Sequence, residues 1–371
     1  MKTKKNKIVL LINSLAGGGA EGVCVSIANT FASNGYKVDL IILNLNNEIY
    51  LNRLSKEINL IVLNVKHTRY SFLQLLIYLI KNKPKNIIVF SYELSAMLVI
   101  LRSLFRLKIT IVSRNISTLS RKIEFLKKQS FWERYVVKNL IYFCYQKIDH
   151  VINQCYAMKE DLLKVHPQLS NKSSVIYNPI SSYISDYVSS NDIKNIKKDN
   201  YLLCVGRLER QKAFHYAIEG FARIKDKFPN LRLKILGKGS LEKELKQKAS
   251  HLNLSDRIDF EGFQKNIIPY YLYAKATVLT SSVEGFPNNL LESITLGTPV
   301  VSFDCMCGPS EIIKEGINGY LVKNEDISDL ENKLSLVIKS RFEVEKMSFT
   351  VQRFKLDKIF ENYQKLLNSL C

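Results

Sequence analysis

The sequence lacks several patterns that would assign its class at once. Its 371 residues include seven cysteines, an odd number, without a C-x-x-C pair, so neither a disulfide framework nor a zinc site is indicated. No apolar run approaches the roughly 18 residues of a membrane-spanning helix, and the longest candidate is 72–80. The apolar run 8–12 follows several lysines but is too short for a signal peptide and ends before a triple glycine. These absences favour a protein of the reducing cytoplasm that does not span a membrane.

The charge is unevenly distributed along the chain. The formal net charge is +20, and residues 1–180 hold 26 Lys and Arg against 10 Asp and Glu. The remainder is nearly balanced, with 28 against 24. Such asymmetry indicates an anionic partner for the first half, which could be a membrane surface, a polyphosphate-linked substrate or nucleic acid, although solubility alone can also explain it.

Short apolar runs alternate with helical patterns, which predicts an α/β fold with parallel sheets. The pattern predicts strands in the first half at 8–12, 38–43, 87–90 and 109–112, and a helix at 20–33. A polar stretch at 181–200 interrupts the alternation, which restarts at Tyr201–Val205. We therefore expect two Rossmann-like, doubly wound domains facing a cleft. The expected ranges are an N-terminal Rossmann-like domain at 1–180, a linker at 181–200, a C-terminal Rossmann-like domain at 201–350 and a C-terminal helix at 351–371 that packs back on the first domain.

Two motifs in the second half carry the chemistry. The segment GRLERQK places Arg207 and Lys212 after a predicted buried strand, where parallel sheets bind ligands, and two cations there suit a diphosphate. The segment SSVEGFPNNLLES holds Glu284 in a loop and Glu292 eight positions later, on a predicted helix. A carboxylate accepts two hydroxyls, so Glu292 can hold a ribose diol while Glu284 meets a sugar or its developing charge. Backbone amides at the start of that helix favour phosphate.

These residues resemble the large retaining glycosyltransferase family 4, which has the GT-B architecture. EGFPNNLLESITLGTPVV resembles its E-x7-E signature and GRLERQK its diphosphate clamp. The resemblance extends to GGGAE, DHVINQCYAMKEDL, VIYNP and SFDCMCGPSEIIKEGINGYLV, and so covers essentially the whole chain. The last of these segments is similar to bacterial enzymes that assemble capsule, O-antigen or lipid-linked oligosaccharides from UDP-sugars.

The resemblance implies a role for each matching residue. It implies Arg207 and Lys212 on the diphosphate, Glu292 on the ribose and Glu284 at the donor sugar. Further donor-binding positions are Gly18, Gly19, Gly285, Phe286, Pro287, Asn288, Asn289 and Leu290. It also implies retention of the glycosidic configuration without a side-chain nucleophile, no metal and no cofactor. The sequence has no Asp-x-Asp motif, which glycosyltransferases of the other architecture use to hold a cation.

The chain departs from the family at one position. Many relatives carry a histidine in a pattern like S-R-H-N, where this sequence has Ser113, Arg114 and Asn115. An amide donates to a hydroxyl or phosphate but does not relay a proton, so Asn115 is not a base. Arg114 and Asn115 are expected on the acceptor side.

Two other functions remain as alternatives. The segment 17–22 satisfies G-x-G-x-x-G, which is typical of nicotinamide-binding domains, but the second predicted strand is followed by Asn44 rather than an acidic residue. A catalytically inert homologue that binds a nucleotide-sugar, or uses its basic surface for binding, is the second alternative. No nucleic-acid recognition motif accompanies the charge.

A basic and aromatic segment lies between Arg102 and Lys147. It contains 11 Lys and Arg, two acidic residues and eight aromatic residues. Such a segment suits a lipid interface, unless the aromatic rings belong to the core. We therefore expect a glycan or polyprenyl-diphosphate-linked acceptor and peripheral binding to an anionic membrane, at the cytoplasmic face of the inner membrane.

Overall fold

The structure is a computed structural model that describes residues 5–45 and 49–370. The chain divides into two compact units, Met1–Pro179 with Leu356–Cys371, and Ile180–Lys355. The stretch 181–200, expected as a polar linker, belongs to the second unit and contains a nine-residue helix.

The first unit is an α/β unit with one parallel sheet. Its strands are β1 (Lys5–Ile12), β2 (Tyr36–Ile42), β3 (Asn59–Val62), β4 (Asn86–Val89), β5 (Thr110–Arg114), β6 (His150–Asn153) and β7 (Ser173–Val175). The helices between them are α1 (Gly19–Ser33), α2 (Phe72–Asn82), α3 (Tyr92–Phe105), α4 (Leu119–Lys127), α5 (Lys138–Tyr145) and α6 (Tyr156–Val165). Short 3-10 turns lie at Leu51–Arg53, Thr68–Ser71 and Pro167–Lys172, and a π-helical turn at Glu133–Val137.

The sheet of the first unit has helices on both faces. Its strand order is β3-β2-β1-β4-β5-β6-β7, with all neighbours parallel. Val9, Leu10 and Leu11 are fully buried because successive side chains of β1 enter cores on opposite faces of the sheet. Helices α2 to α6 contribute to the core on one face and α1 to the core on the other. The continuous apolar runs that predicted β1, β2 and β4 have this cause.

The second unit repeats the arrangement with six strands. Its strands are β8 (Tyr201–Val205), β9 (Arg232–Leu236), β10 (Ile258–Gly262), β11 (Ala276–Leu279), β12 (Val300–Phe303) and β13 (Gly319–Val322). Its helices are α7 (Ser182–Ser190), α8 (Phe214–Ile224), α9 (Glu242–His251), α10 (Ile268–Tyr273), α11 (Asn288–Thr295), α12 (Pro309–Ile312), α13 (Ile327–Lys339) and α14 (Val344–Thr350), with 3-10 turns at Arg210–Lys212 and Gln352–Phe354. The strand order is β10-β9-β8-β11-β12-β13, again fully parallel. The predicted pair of doubly wound parallel-sheet units is therefore confirmed.

The last helix, α15 (Leu356–Ser369), is part of the first unit. Its Phe360 and Tyr363 rings lie 5.1 Å and 6.2 Å from the ring of Phe31 in α1. The Tyr363 hydroxyl also accepts a hydrogen bond from Nη1 of Arg114, 2.8 Å away at the end of β5. Apolar packing and this buried polar contact together hold the end of the chain on the first sheet.

Candidate active site

The two predicted motifs of the second unit follow adjacent strands. GRLERQK begins directly after β8, and SSVEGF follows β11, which pairs with β8 through Ala276 and Leu202. The strand order reverses direction at this pair, since β9 and β10 lie on one side and β12 and β13 on the other. Open parallel sheets bind ligands at the carboxyl ends of the strands at such a switch point. The sheet topology therefore brings both motifs to its binding position.

The loop after β8 packs closely on the loop after β9. A Cβ atom at Gly237 would lie 1.9 Å from the carbonyl oxygen of Gly206. A Cβ atom at Gly239 would lie 2.3 Å from the carbonyl oxygen of Leu208. The Ser240 amide and hydroxyl donate to the Glu209 carboxylate and hold its pKa below the usual range. This packing leaves the Arg207 side chain exposed at the carboxyl edge of the sheet.

Lys212 and Glu284 form an ion pair that joins the two motifs. Nζ of Lys212 lies 2.6 Å from Oε1 of Glu284, and the side chains are 18% and 8% exposed. Further hydrogen bonds connect the two loops, and in the first of these the Gln211 side-chain amide donates to the backbone carbonyl of Val283 at 2.8 Å. The Ser282 amide in turn donates to the carbonyl of Gln211 at 3.0 Å. One cation and one carboxylate are thus held side by side in a partly water-excluded position.

The loop between Glu284 and α11 is fixed by packing. Phe286 is buried, and its ring lies 5.8 Å from that of Phe354. Gly308 has φ +98°, and a side chain there would lie 2.4 Å from Cδ of Pro287. Asn289, on the first turn of α11, donates to the carbonyl of Val205 at the end of β8. The start of α11 is therefore held against the strand that precedes the cationic motif.

Glu292 lies in the middle of α11 and contacts a buried tyrosine. The hydroxyl of Tyr271 donates to Oε2 of Glu292 at 3.1 Å, and Tyr271 itself is fully buried. Burial raises the pKa of Tyr271 well above its usual value, and the neighbouring carboxylate adds to the effect, so the hydroxyl keeps its proton. The Thr298 hydroxyl donates to the carbonyl of Tyr271 at 2.5 Å. Tyr271 is therefore fixed at both ends and sets the orientation of the Glu292 carboxylate.

A cysteine lies beside the ion pair. Cys305 follows β12 and is 3% exposed. Burial raises the pKa of its thiol to about 12, with a further increase from the charge of Glu284 and an opposing effect of Lys212. Burial therefore favours the neutral form of the Cys305 thiol.

The glycine loop lies in the first unit, between β1 and α1. Gly17 has φ +106°, a backbone conformation that favours glycine. A side chain at Gly18 would lie 2.3 Å from Oε2 of Glu21, which folds back to the start of the helix. Gly19 is the first residue of α1. β1 pairs with β4, where the strand order of the first sheet reverses, so this loop also lies at a switch point.

The structure buries the two residues expected on the acceptor side. Arg114 and Asn115 are each 1% exposed. The Asn115 amide donates to Oδ1 of Asn153 at 2.8 Å and accepts a hydrogen bond from the Tyr145 hydroxyl. Besides Tyr363, the Arg114 guanidinium donates to the carbonyl of Ile176 at 3.0 Å. These contacts stabilise the ends of β5, β6 and β7, and the expected place of Arg114 and Asn115 on the acceptor side stays a prediction.

Several residues of the site have no signal in the sequence. Tyr271 is 21 positions from its partner and belongs to an aromatic stretch that is typical of a core helix. Gly308 matters only through the packing of a loop remote in sequence. Among the described residues, no group of three or more His, Cys, Asp or Glu is arranged to hold a metal ion. In that same part of the chain no helix is both long and apolar enough to cross a membrane.

Comparison with known proteins gives two family models in tandem. The model described as Glycosyltransferase Family 4 matches residues 17–182, and the model described as Glycosyl transferases group 1 matches residues 189–353. Each match corresponds closely to one of the two units, and together they span most of the chain.

Individual relatives and solved structures agree with these models. The chain is 30% identical to the lipopolysaccharide 1,6-galactosyltransferase of Escherichia coli over 206 residues, 53% of this chain and 55% of that protein. It is 24% identical to an uncharacterised glycosyltransferase of Haemophilus influenzae over 96% of this chain and 98% of that one. At about 30% identity the alignments span only about half the length of the relatives.

Two solved structures share the fold over nearly the entire chain. The lipopolysaccharide outer core galactosyltransferase WaaB has a TM-score of 0.74 at 23% identity, covering 98% of this chain and 100% of that one. HepE of Anabaena in complex with UDP has a TM-score of 0.77 at 20% identity, with the same coverage. The chain therefore has the GT-B fold and belongs to glycosyltransferase family 4.

Proposed function

We propose that the protein transfers a sugar from a nucleotide-sugar to a glycan or polyprenyl-diphosphate-linked acceptor in the assembly of bacterial surface polysaccharides or oligosaccharides. The observation that carries the proposal is the Lys212–Glu284 pair at the switch point of the second sheet, with Glu292 on the adjoining helix. Relatives support the acceptor class. One is named an N-acetylgalactosamine-N,N'-diacetylbacillosaminyl-diphospho-undecaprenol 4-alpha-N-acetylgalactosaminyltransferase of Campylobacter jejuni, at 30% identity over 57% of this chain and 56% of that protein.

We propose UDP-hexose or UDP-N-acetylhexosamine as the donor. Structures of HepE with UDP and with UDP-glucose, which share the fold, support this choice. Arg207 and Lys212 supply positive charge for the diphosphate, with the fork of the guanidinium suited to two oxygens. Glu292, oriented by Tyr271, accepts hydrogen bonds from the ribose hydroxyls. Amides at 285–290 add donors at the start of α11 for phosphate or sugar oxygens.

The reaction then proceeds with retention and without a covalent intermediate on the protein. The bond between the anomeric carbon and the diphosphate oxygen breaks, and the acceptor oxygen attacks the same face of the sugar. The acceptor proton passes to the departing phosphate oxygen. Lys212 and Arg207 stabilise the negative charge on the leaving diphosphate, and Glu284 stabilises positive charge on the sugar. An α-linked UDP-sugar should give an α-linked product by NMR, and a β-linked product would refute the proposed stereochemistry.

A cofactor and a metal are not required in this proposal. Two side-chain cations take the role that a divalent ion has elsewhere, and neither needs to be loaded. We expect full activity in EDTA, measured as release of UDP by chromatography. Complete loss on chelation followed by recovery with manganese would overturn the assignment of Arg207 and Lys212.

The nucleotide test separates the proposal from its alternatives. A ligand that prefers the folded state raises the thermal midpoint, so UDP, GDP, ADP and NAD are compared at equal concentration. We expect a selective shift with UDP that disappears in Glu292→Ala and persists in the matched surface variant Glu343→Ala. A shift with NAD alone would favour the oxidoreductase. A response to UDP without turnover on any lipid-linked acceptor would favour the inert homologue.

A further inference from the structure

The outer side of one helix layer in the first unit exposes an unusual amount of apolar surface. Helices α2 to α5 and the turns around them cover one face of the sheet. They carry 13 of the 24 exposed large hydrophobic side chains of the described residues. We name this surface the α2–α5 face. Its members are Tyr70, Leu73, Ile77, Ile80, Leu104, Phe105, Phe125, Phe131, Trp132, Tyr135, Leu140, Tyr142 and Phe143.

The opposite layer shows that this exposure is not general. Helices α1 and α15 cover the other side of the same sheet, and their described residues expose no large hydrophobic side chain. The sequence had left open whether the eight aromatic residues between Arg102 and Lys147 belong to the core. Seven of them are exposed and only Tyr145 is buried. Packing of the first unit therefore does not account for the apolar residues of the α2–α5 face.

The exposed residues form a connected surface. On α2, Leu73, Ile77 and Ile80 are spaced at four and three residues and so share one side of the helix. The ring of Phe72 in α2 lies 6.2 Å from the ring of Phe105 at the end of α3. Helix α3 packs on α5, and α5 contacts both α4 and the π-helical turn. Solvent-exposed apolar patches that are this extensive mark an interaction site.

The charge of the same segment identifies the kind of partner. Residues 64–147 contain 16 Lys and Arg against three acidic residues. Two of these acids are engaged locally, because Glu93 pairs with Lys122 at 2.5 Å and Glu133 accepts from the Ser130 hydroxyl at 2.9 Å. The partner is therefore anionic and apolar at the same time, which describes the surface of a bilayer with acidic lipids.

Cationic groups lie at the level of the aromatic rings. The guanidinium of Arg69 lies 4.8 Å from the centre of the Tyr70 ring, and that of Arg134 lies 5.3 Å from the Tyr135 ring. Nζ of Lys122 lies 5.7 Å from the Phe125 ring. In membrane-binding proteins, aromatic side chains next to Lys and Arg side chains are typical of residues that lie at the depth of the lipid headgroups.

We propose that the α2–α5 face docks on an anionic lipid bilayer, with its apolar side chains inserted at the headgroup boundary. The lipid-linked acceptor of the proposed function gives a reason for such docking, and the inference deepens that proposal. The exposed apolar residues of α2, Leu73, Ile77 and Ile80, lie outside the basic and aromatic segment between Arg102 and Lys147 and so extend the docking surface. Each basic residue near an acidic leaflet contributes about 1 kcal/mol, which corresponds to roughly fivefold in the partition coefficient.

The single tryptophan of the chain makes a direct test possible. Trp132 is half exposed on the α2–α5 face, so its fluorescence reports on this surface alone. The full chain is mixed with phosphatidylcholine vesicles that contain 30 mol% phosphatidylglycerol, with and without brominated acyl chains. We expect a blue shift of the emission and quenching by the brominated lipid, and neither effect with pure phosphatidylcholine. Unchanged emission in the acidic vesicles at low salt would overturn the proposal.

Variants and a matched control test the residues. Lys127→Ser, Lys128→Ser and Arg134→Ser together should lower partitioning into acidic vesicles about 100-fold. The pair Leu73→Ser and Ile77→Ser, which changes only α2, should also lower partitioning into acidic vesicles. The control pair Leu336→Ser and Phe349→Ser changes exposed apolar residues of the second unit and should not affect it. An equal loss in the control would contradict the assignment of the face.

Further outcomes separate the membrane from other partners and from the reaction. A dimer without vesicles in which Trp132 emission is already blue-shifted would overturn the proposal in favour of self-association. Stronger quenching by polynucleotide than by acidic vesicles would overturn it in favour of nucleic acid. The UDP thermal shift is measured on the same variants. A UDP shift that persists without binding to acidic vesicles would refute only the docking surface. Binding to acidic vesicles without any UDP response would refute only the proposed function.

Discussion

Removing one or both charges of the Lys212–Glu284 pair by substitution should affect stability and donor binding differently. The pair has an N–O distance of 2.6 Å and side chains 18% and 8% exposed. Removing one partner of a fully buried pair costs about 3–5 kcal/mol, largely because the other charge remains buried. Since Lys212 retains some contact with water, we expect about 2–3 kcal/mol for Lys212→Met. In a unit of this size that corresponds to a thermal midpoint lower by roughly 5–10 °C.

The double variant distinguishes a structural pair from a functional one. Lys212→Met with Glu284→Gln leaves no unpaired charge, and we expect its free energy of unfolding to lie within about 1 kcal/mol of the wild-type value. Its response to UDP should nevertheless be absent, because the cation for the diphosphate is gone. Glu284→Gln alone should bind UDP at least as tightly as the wild type, since a carboxylate that repels the diphosphate is removed, while turnover falls.

Urea unfolding and UDP titration of the four proteins provide the measurements. Exposed Lys339→Met is the matched control for loss of a lysine and should change neither quantity. Single-variant losses that simply add in the double variant would refute the ion pair. A double variant that responds to UDP like the wild type would refute the role of Lys212 on the diphosphate.

Three further changes test the surroundings of the site. Tyr271→Phe should weaken the binding of UDP but not of its 2′,3′-dideoxy analogue, because the tyrosine acts through Glu292 on the ribose hydroxyls. An equal loss of affinity for both ligands would exclude this positioning role. Gly308→Ala should lower stability and UDP binding through its clash with the loop before α11, whereas Gly316→Ala, with φ +73° and open space, should show only the smaller backbone cost of about 1 kcal/mol by thermal unfolding. Burial lowers the pKa of Lys198 to about 8, below the value of 10.5 expected in the unfolded chain. Between about pH 8 and pH 10.5 the unfolded chain therefore binds more protons at Lys198 than the folded protein does. The free energy of unfolding of the wild type should accordingly rise with pH across this range relative to that of Lys198→Met. A constant difference between the two in urea unfolding across that range would refute the effect of burial on Lys198.

The strands that the sequence predicted are those whose burial is continuous. β8 was predicted over Tyr201–Val205 and is observed over the same residues, because a central parallel strand is apolar on both faces. β7, Ser173–Val175, is short, begins with two serines and lies at the edge of its sheet, so no apolar run identifies it. The stretch 181–200 contains a helix whose only buried residue is Ile184, and such a weak pattern resembles a linker.

The site shows the same division between local and distant information. Arg207, Lys212, Glu284 and Glu292 were identified by spacing along the chain, and the sheet topology brings their segments together. The contact of Glu292 with Tyr271 depends on how α10 packs against α11, and no local pattern encodes it. The burial of Asn115 likewise depends on the hydroxyl of Tyr145, 30 positions away.

The aromatic segment illustrates why exposure is harder to predict than helicity. An α-helix with one constant phase would place apolar residues at regular spacing on its buried side. The π-helical turn at Glu133–Val137 shifts that phase, so positions before and after it point in different directions from those that spacing predicts. Within α5, which follows the turn, Phe143 is exposed, while Tyr145, two residues later and so on the opposite side of the helix, is buried.

The Lys212–Glu284 pair also links donor binding to the reaction in the proposed function. In the pair, the positive charge of Lys212 is already compensated by the carboxylate, so the site carries little net charge there before a donor enters. A diphosphate that engages Lys212 competes with Glu284 for the ammonium group and weakens the pair. The carboxylate is then left beside the donor sugar with less compensation, and its interaction with positive charge that develops on the sugar becomes stronger in that low-exposure position. The same residue that binds the leaving group thereby increases the electrostatic effect of the carboxylate only when a donor is present.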